Sequence, residues 1–339
     1  MSAHAFICGC AGPALTDDER AFIRDADPWG LILFRRNVTD REQLRALTDN
    51  FRETVGRADA PVLVDQEGGR VQRLTVPVWR RYPAAAFFER MGWEDPFYVR
   101  ELVRLSAQLM GADLREVGIT VDCAPVADVP APGSHEIVGD RAYAPDHARA
   151  AVLARAAAEG LLAAGVLPVV KHMPGHGRAL ADSHHELPVV TATRAELEAS
   201  DFVTFRALAD MPLAMSAHVV YADIDPDNPA TTSKKVVKKI MRGALNFDGL
   251  IMSDDLSMKA LAGDMRERAE AAFKAGLDMA LHCNGDLAEM QAVAQAAPKL
   301  DGKAKRRAKA ALRRLSHAPE PFDPVDAARR LDQALAPQV

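Results

Sequence analysis

Residues 171–188 read KHMPGHGRALADSHHELP. Lys171, His172, His176, Asp182, His184 and His185 fall close together here, at a strand end and in the loop after it, which Pro174, Gly175 and Gly177 break. Free imidazole titrates at about 6.5, so histidines beside a carboxylate can give and take protons near neutrality. The segment follows the apolar run Gly165 to Val170, which reads as a buried strand. A second stretch repeats the pattern. Asp248-Gly249-Leu250-Ile251-Met252-Ser253-Asp254-Asp255-Leu256-Ser257-Met258 is an apolar strand ending in two adjacent carboxylates. Burying a carboxylate is unfavourable unless it is paired or hydrogen-bonded, so Asp254 and Asp255 are poor packing residues and good candidates for chemistry. One of the pair is also available as N-cap of the next helix; Asp255 or Ser257 suits that better than Asp254, which is nearest the strand.

Regular elements must hold these groups. Strands are expected near Ala5–Ala11, Gly30–Phe34, Val62–Asp65, Thr120–Ala124, Val169–His172, Leu213–Ala217, Leu250–Ser253 and Met279–His282. Most are continuously apolar, as strands covered on both faces are. Between them lie helical patterns. Thr16-Asp17-Asp18-Glu19, Thr39-Asp40-Arg41-Glu42 and Thr193-Arg194-Ala195-Glu196 fit the capping box, and the alanine-rich Asp146–Ala164 stops at Gly165. Strand–helix alternation predicts parallel βαβ units, and eight of them fit a single-domain α/β fold, the (β/α)8 TIM barrel. A doubly wound sheet is the alternative, but no Gly-x-Gly-x-x-Gly follows the first strand. Residues 1–318 are expected to form the barrel and 319–339 a tail packed on it or extending from it. Irregularity is expected in the first two strands, where Gly9, Gly12 and Pro13 disturb the pattern. In a barrel, active sites sit at the C-terminal strand ends. Asp65, Asp122, Asp128, Lys171, His172, His218 and Asp254 all lie at or just past such ends and would line a polar, sugar-sized pocket.

Composition narrows the classes. Apolar content of 48% with 26% charged residues is that of a globular chain. A net charge of −5 argues against a nucleic-acid partner, and the basic run Lys299 to Arg314 reads as a solvated helix face. Cys8, Cys10, Cys123 and Cys283 fall in or beside strands and read as small buried hydrophobes in a reducing compartment. The first residues, Met1-Ser2-Ala3-His4, have no basic n-region, and the apolar segment behind them is short and broken by Gly9 and Gly12. The expectation is therefore a cytoplasmic protein without membrane contact. A monomer or weak homodimer is expected, although the sequence itself does not give the oligomeric state.

Together the two stretches resemble the family-3 glycoside hydrolases, and more narrowly the bacterial β-N-acetylglucosaminidases (β-N-acetylhexosaminidases) of peptidoglycan recycling. The group's Lys-His-Phe-Pro-Gly-His-Gly, followed by Asp-Ser-His and Leu-Pro, is matched with Met173 in place of Phe. Its Ser-Asp-Asp-Leu-Ser-Met is matched in full at Ser253–Met258. Val64-Asp65-Gln66-Glu67-Gly68-Gly69-Arg70-Val71-Gln72-Arg73-Leu74 also matches, as does Gly139-Asp140-Arg141-Ala142-Tyr143 with a slight departure from Gly-Glu/Asp-Arg-Ser-Phe. The resemblance spans roughly Ala5 to Asn284.

The resemblance implies a retaining exo-hydrolase that removes terminal non-reducing β-linked N-acetylglucosamine from muropeptide fragments, through a covalent glycosyl-enzyme intermediate and with neither metal nor cofactor. It makes Asp254 the nucleophile, with Asp255 the rival on sequence alone, and His184 the acid/base, partnered by Asp182. A nearby carboxylate orients the ring and favours the imidazolium that protonates the leaving group. The glycines make the loop a candidate hinge, the dyad assembling as it closes. Taken alone, Asp182-Ser183-His184 reads as an Asx-turn, and His185 as a bystander. Asp65, Arg73, Arg141, Lys171 and His172 match the sugar-binding positions; Arg70 does not. His176 and His218 read as structural histidines. Two other classes compete. A metal hydrolase would use Asp65, His172, His176 and His184 and be chelator-sensitive, but Pro174 and Gly175 keep His172 and His176 off one helical face and no His-Glu-x-x-His occurs. A non-catalytic sugar-binding protein would be expected to lack the nucleophile or the dyad.

Overall fold

The computed structural model describes residues 3–183 and 185–336. Among these, eight parallel strands close into a barrel: β1 His4–Cys8, β2 Pro28–Leu33, β3 Val62–Val64, β4 Val121–Asp122, β5 Leu167–Met173, β6 Leu213–Ser216, β7 Leu250–Asp255 and β8 Met279–His282. Each pairs with its neighbours in sequence, and β8 returns to β1. Side chains alternate across the sheet. Ile7, Ile32, Leu63, Val121, Leu167, Val169, Leu213, Met215, Leu250, Met252, Met279 and Leu281 pack together inside the barrel. Their neighbours Phe6, Leu31, Leu33, Val62, Val64, Val170, Ala214, Ile251 and Ala280 pack outward against the helices. Two buried layers explain why the strands read as continuously apolar.

Helix starts follow their caps. Thr16 and Thr193 close full capping boxes with Glu19 and Glu196, and Asp146 caps His147–Ala163. At Thr39 the expectation is off by one residue. Asp40 is the N-cap, its carboxylate accepting from Gln43 N, because Gln43 turns its own side chain back to Thr39. The first helix after β7 is capped by Asp264, not by Asp255 or Ser257.

The first two strands do show a register shift, but it falls between His4 and Ile7, before Gly9, Gly12 and Pro13, where the disturbance was expected. β1 stops at Cys8 rather than Ala11, since Gly9 passes so close to the end of β8 that a Cβ there would lie 2.5 Å from the Cys283 carbonyl oxygen. Two further shifts were not anticipated, between Val170 and Met173 and between Met252 and Asp255. The basic run forms the helix Gly302–Arg314 and is more than a solvated face: Arg306 and Arg307 pair with Asp248, and Arg307 also with Asp278. The closing helix Pro324–Leu335 buries Ala327 and Leu331 and pairs Asp332 with Arg80. All four cysteines are buried and free of disulfides. Among the described residues no helix is long and apolar enough to cross a membrane.

Candidate active site

Strand alternation builds the floor of the site. One step beyond the inward residues Ile32, Leu63, Val169, Met252 and Leu281 come Phe34, Asp65, Lys171, Asp254 and Cys283, and all five line a cavity of about 210 Å³ at the C-terminal end of the barrel. The register shifts in β5 and β7 add His172 and Asp255 to the same cavity. Bulges of this kind re-aim side chains beside active sites.

One wall is cationic. Lys171 Nζ lies 2.8 Å from Asp65 Oδ1 and 2.6 Å from Glu67 Oε1. Arg141 grips Glu67 with two bonds of 2.8 Å, and Arg73 reaches Asp65 at 3.2 Å while lying over the Phe34 ring. Burial alone would raise the Asp65 and Glu67 carboxyls; Lys171 offsets it first, then Arg73 for Asp65 and Arg141 for Glu67, and both carboxyls titrate below their ordinary values. Burial opposes the Lys171 charge, but Asp65 and Glu67 outweigh it and raise its pKa. Gln66 fixes the loop that carries these groups. Its side chain accepts from Arg73 N and Leu74 N and donates to Leu74 O, and its backbone N–H donates to Asp122.

The opposite wall holds Asp254. Its carboxylate takes the Asp255 N–H at 2.8 Å. Burial pushes its pKa up, but His172, His218 and that N–H bring it below the ordinary carboxylate value, so it is ionised at neutral pH. Asp255 is tied down instead: it accepts from Ser257 N, Ser257 Oγ and Cys283 N, bracing β7 against β8. Asp128, fully buried, accepts from the backbone of His172 and His176 and from His172 Nδ1 at 2.7 Å, which orients the His172 ring.

Six of the eight expected site residues, Asp254, Asp65, Arg73, Arg141, Lys171 and His172, line this one cavity. Asp182 precedes Ser183, which lines it; His184 lies outside the described residues. The Asp182 carbonyl accepts from the His185 and Glu186 N–H groups, and exposed His185 keeps a ring nitrogen 3.8 Å from its carboxylate. The glycines at the loop base are closely packed. A Cβ on Gly177 would stand 1.9 Å from Val129 O, Tyr221 donates to Gly175 O, and Arg178 is tied to Asp201.

Three members of the expected rim lie beneath the pocket instead. Asp122, Asp128 and His218 are fully buried, because strand ends also need partners for their own polar atoms. His218 is satisfied by Thr231 Oγ1 and Asp255 O. Glu67 and Met258 also line the cavity and were not expected there. The period-two pattern Leu63, Asp65, Glu67 is the signal that points to Glu67.

His176 also lines the cavity, with Nε2 3.0 Å from Ser183 Oγ and Nδ1 without a partner among the described residues. Burial first, then the neighbouring His172, lower its pKa from 6.5 to about 4. Between those values the unfolded chain binds the proton and the folded chain does not. Stability is therefore lost as pH falls through that window. His176→Gln is expected to reduce the drop in unfolding free energy between pH 7 and pH 4.5, as measured by denaturant titration; an unchanged drop would rule this cause out.

The geometry combines an ionised carboxylate on a rigid strand end and a wall of fixed cationic donors, with Ser183, the residue after Asp182, on the same cavity. That suits displacement at a polar, hydroxyl-rich substrate. Residues 7–318 match the family described as glycosyl hydrolase family 3 N terminal domain. A β-hexosaminidase of Bordetella avium is 40% identical over 286 residues, covering 82% of this chain and 80% of that protein. One from Pseudomonas aeruginosa is 41% identical over 276 residues, covering 80% of each. The crystal structure of NagZ from Neisseria gonorrhoeae in complex with N-trifluoroacetyl-D-glucosamine superposes with a TM-score of 0.88 at 29% identity, over 99% of both chains.

Proposed function

The chain belongs to glycosyl hydrolase family 3 and is a β-N-acetylhexosaminidase, and from that premise we propose that it is a retaining exo-enzyme acting on terminal non-reducing β-linked N-acetylglucosamine in muropeptide fragments such as N-acetylglucosaminyl-1,6-anhydro-N-acetylmuramyl peptides. Its place would be the recycling of peptidoglycan in the cytoplasm. The observation that carries the reading is Asp254, ionised at the end of β7 inside a pocket walled by Lys171 and His172.

In this reading Asp254 attacks the anomeric carbon and forms a glycosyl-enzyme ester. His184, partnered by Asp182, protonates the leaving oxygen and later deprotonates the water that releases the sugar. Asp65, Arg73, Arg141, Lys171 and His172 hold the ring hydroxyls and the acetamide through charge-assisted hydrogen bonds. A cavity of about 210 Å³ suits one sugar ring, which favours exo action. Because a protein carboxylate attacks, the acetamide is a binding determinant and not a nucleophile. A chromogenic β-N-acetylglucosaminide and the matching β-glucoside, assayed side by side, test this. The glucoside is expected to be turned over at least about 100-fold less efficiently, the size of effect produced when buried polar groups lose their partners. Equal kcat/KM would overturn the substrate assignment.

A further inference from the structure

Glu67 touches both of the most buried cations in the pocket, and no catalytic step uses it. We propose that Glu67 is a positioning residue that holds Lys171 and Arg141 as one rigid pair of donors against the sugar. The proposal rests on the reading that Lys171 and Arg141 bind the substrate.

Lys171 comes from β5, a barrel strand, whereas Arg141 comes from the turn Gly139–Arg141, which belongs to no strand. Nothing in the barrel's ladder sets the distance between them. Glu67 does, with Oε1 2.6 Å from Lys171 Nζ and both oxygens 2.8 Å from Arg141. Its side chain is only 6% exposed, against 3% for Lys171 and 11% for Arg141. Two cations drawn together in so dry a place repel each other, and each lowers the other's readiness to be charged. A carboxylate between them removes that repulsion and fixes both at once. The bidentate fork also locks the guanidinium plane, which a single contact would leave free to turn.

A neighbouring pair supplies the contrast. Arg70, on the same loop as Glu67, reaches across to Asp140 at 2.9 Å, beside Arg141. It laces the same two segments, its side chains 45% and 44% exposed; Arg70 itself lines the cavity and shares the Ile137 carbonyl with Arg141, whereas Asp140 is not among the lining residues, so the pair is best broken from the Asp140 side. If lacing alone mattered, breaking either pair would act alike. If positioning matters, only Glu67 should count.

The test uses Glu67→Gln, Asp140→Ala, Lys171→Met and the double variant Glu67→Gln/Lys171→Met, with a chromogenic N-acetylglucosaminide. Glu67→Gln is expected to lower kcat/KM at least about 30-fold, with equal losses for good and poor leaving groups, since the residue stands apart from proton transfer. Asp140→Ala, which breaks the Arg70 pair from outside the cavity, should stay within about threefold. The double variant should lose little more than Lys171→Met alone, because Glu67 acts through that side chain. Binding of N-acetylglucosamine to Glu67→Gln should also weaken between pH 7 and pH 10, as Lys171, left with Asp65 alone, gives up its proton more readily; a merely structural loss would not bring in this pH dependence. Should Glu67→Gln fail to fold, Glu67→Asp serves: it keeps the charge but cannot reach both cations, and at least about a tenfold loss is expected. Wild-type kcat/KM in whichever variant folds, or fully additive losses in the double variant, would overturn the proposal. If Lys171→Met loses activity while Glu67→Gln does not, only the positioning role falls. If Lys171→Met itself keeps wild-type kcat/KM, the reading of the sugar site falls with it.

Discussion

Asp254→Asn is expected to lower kcat by about 10⁴-fold or more, the scale on which enzymes lose rate when a covalent nucleophile is removed. Folding should survive. The Asp254 carboxylate takes one backbone donor, and asparagine, of nearly the same shape, keeps an oxygen for it. Substrate should still bind, since the cationic wall of Lys171, Arg73 and Arg141 is built on Asp65 and Glu67 and not on Asp254. A wild-type melting temperature with turnover gone is therefore the expected signature. A 5-fluoro N-acetylglucosaminyl donor, which keeps the acetamide and slows release of the intermediate, should place its label on Asp254 in the wild-type protein. Label on Asp255 would show that the wrong carboxylate has been assigned. The structure bears against that outcome, because Asp255 already accepts from Ser257 N, Ser257 Oγ and Cys283 N and would have to surrender them to attack.

His184→Ala is the second large effect, and its size should depend on the substrate. General acid catalysis contributes about 10²–10⁴-fold when the leaving group needs a proton. A poor leaving group, such as a sugar alcohol, should lose activity on that scale. An activated phenol, which departs as its anion, should lose less than about tenfold in the glycosylation step. Asp182→Asn should act in the same direction and more mildly, because a neutral amide can still orient the ring but no longer favours the imidazolium. Equal losses for both leaving groups would mean that His184 binds or positions and does not transfer the proton. His185 offers a control. It is 76% exposed and sits 3.8 Å from Asp182, so His185→Ala with a loss as large as that of His184→Ala would reassign the acid.

Two kinds of information are separable in this chain. The barrel and the places where chemistry could sit are written locally. An apolar run and the polar residues that end it are adjacent in sequence, so Val169-Val170-Lys171-His172 and Met252-Ser253-Asp254-Asp255 declare both a buried strand and the polar groups that its end delivers. Strand–helix alternation then leaves few ways to close the sheet, and the observed order is the simplest of them. The capping residues Thr16, Asp146 and Thr193 are equally local, since each satisfies amides within its own first turn.

What those polar residues do to one another was decided only in three dimensions. Nothing near Glu67 in the chain indicates that it will stand between Lys171 and Arg141, the latter 74 positions away. Nothing near Asp128 indicates that it will hold the backbone of His172 and His176, 44 and 48 positions on. Asp122, Asp128 and His218 look from the sequence like further pocket residues, and become buried supports because the barrel closes over them. Asp254 and Asp255 are alike in sequence, and are told apart only because β8 ends beside one of them and offers it the Cys283 N–H. The physical reason is common to all four. A strand's alternation says which side of the sheet a residue faces, but its charge state and freedom depend on partners that loops from other strands deliver, and those distances exist only once the barrel has closed.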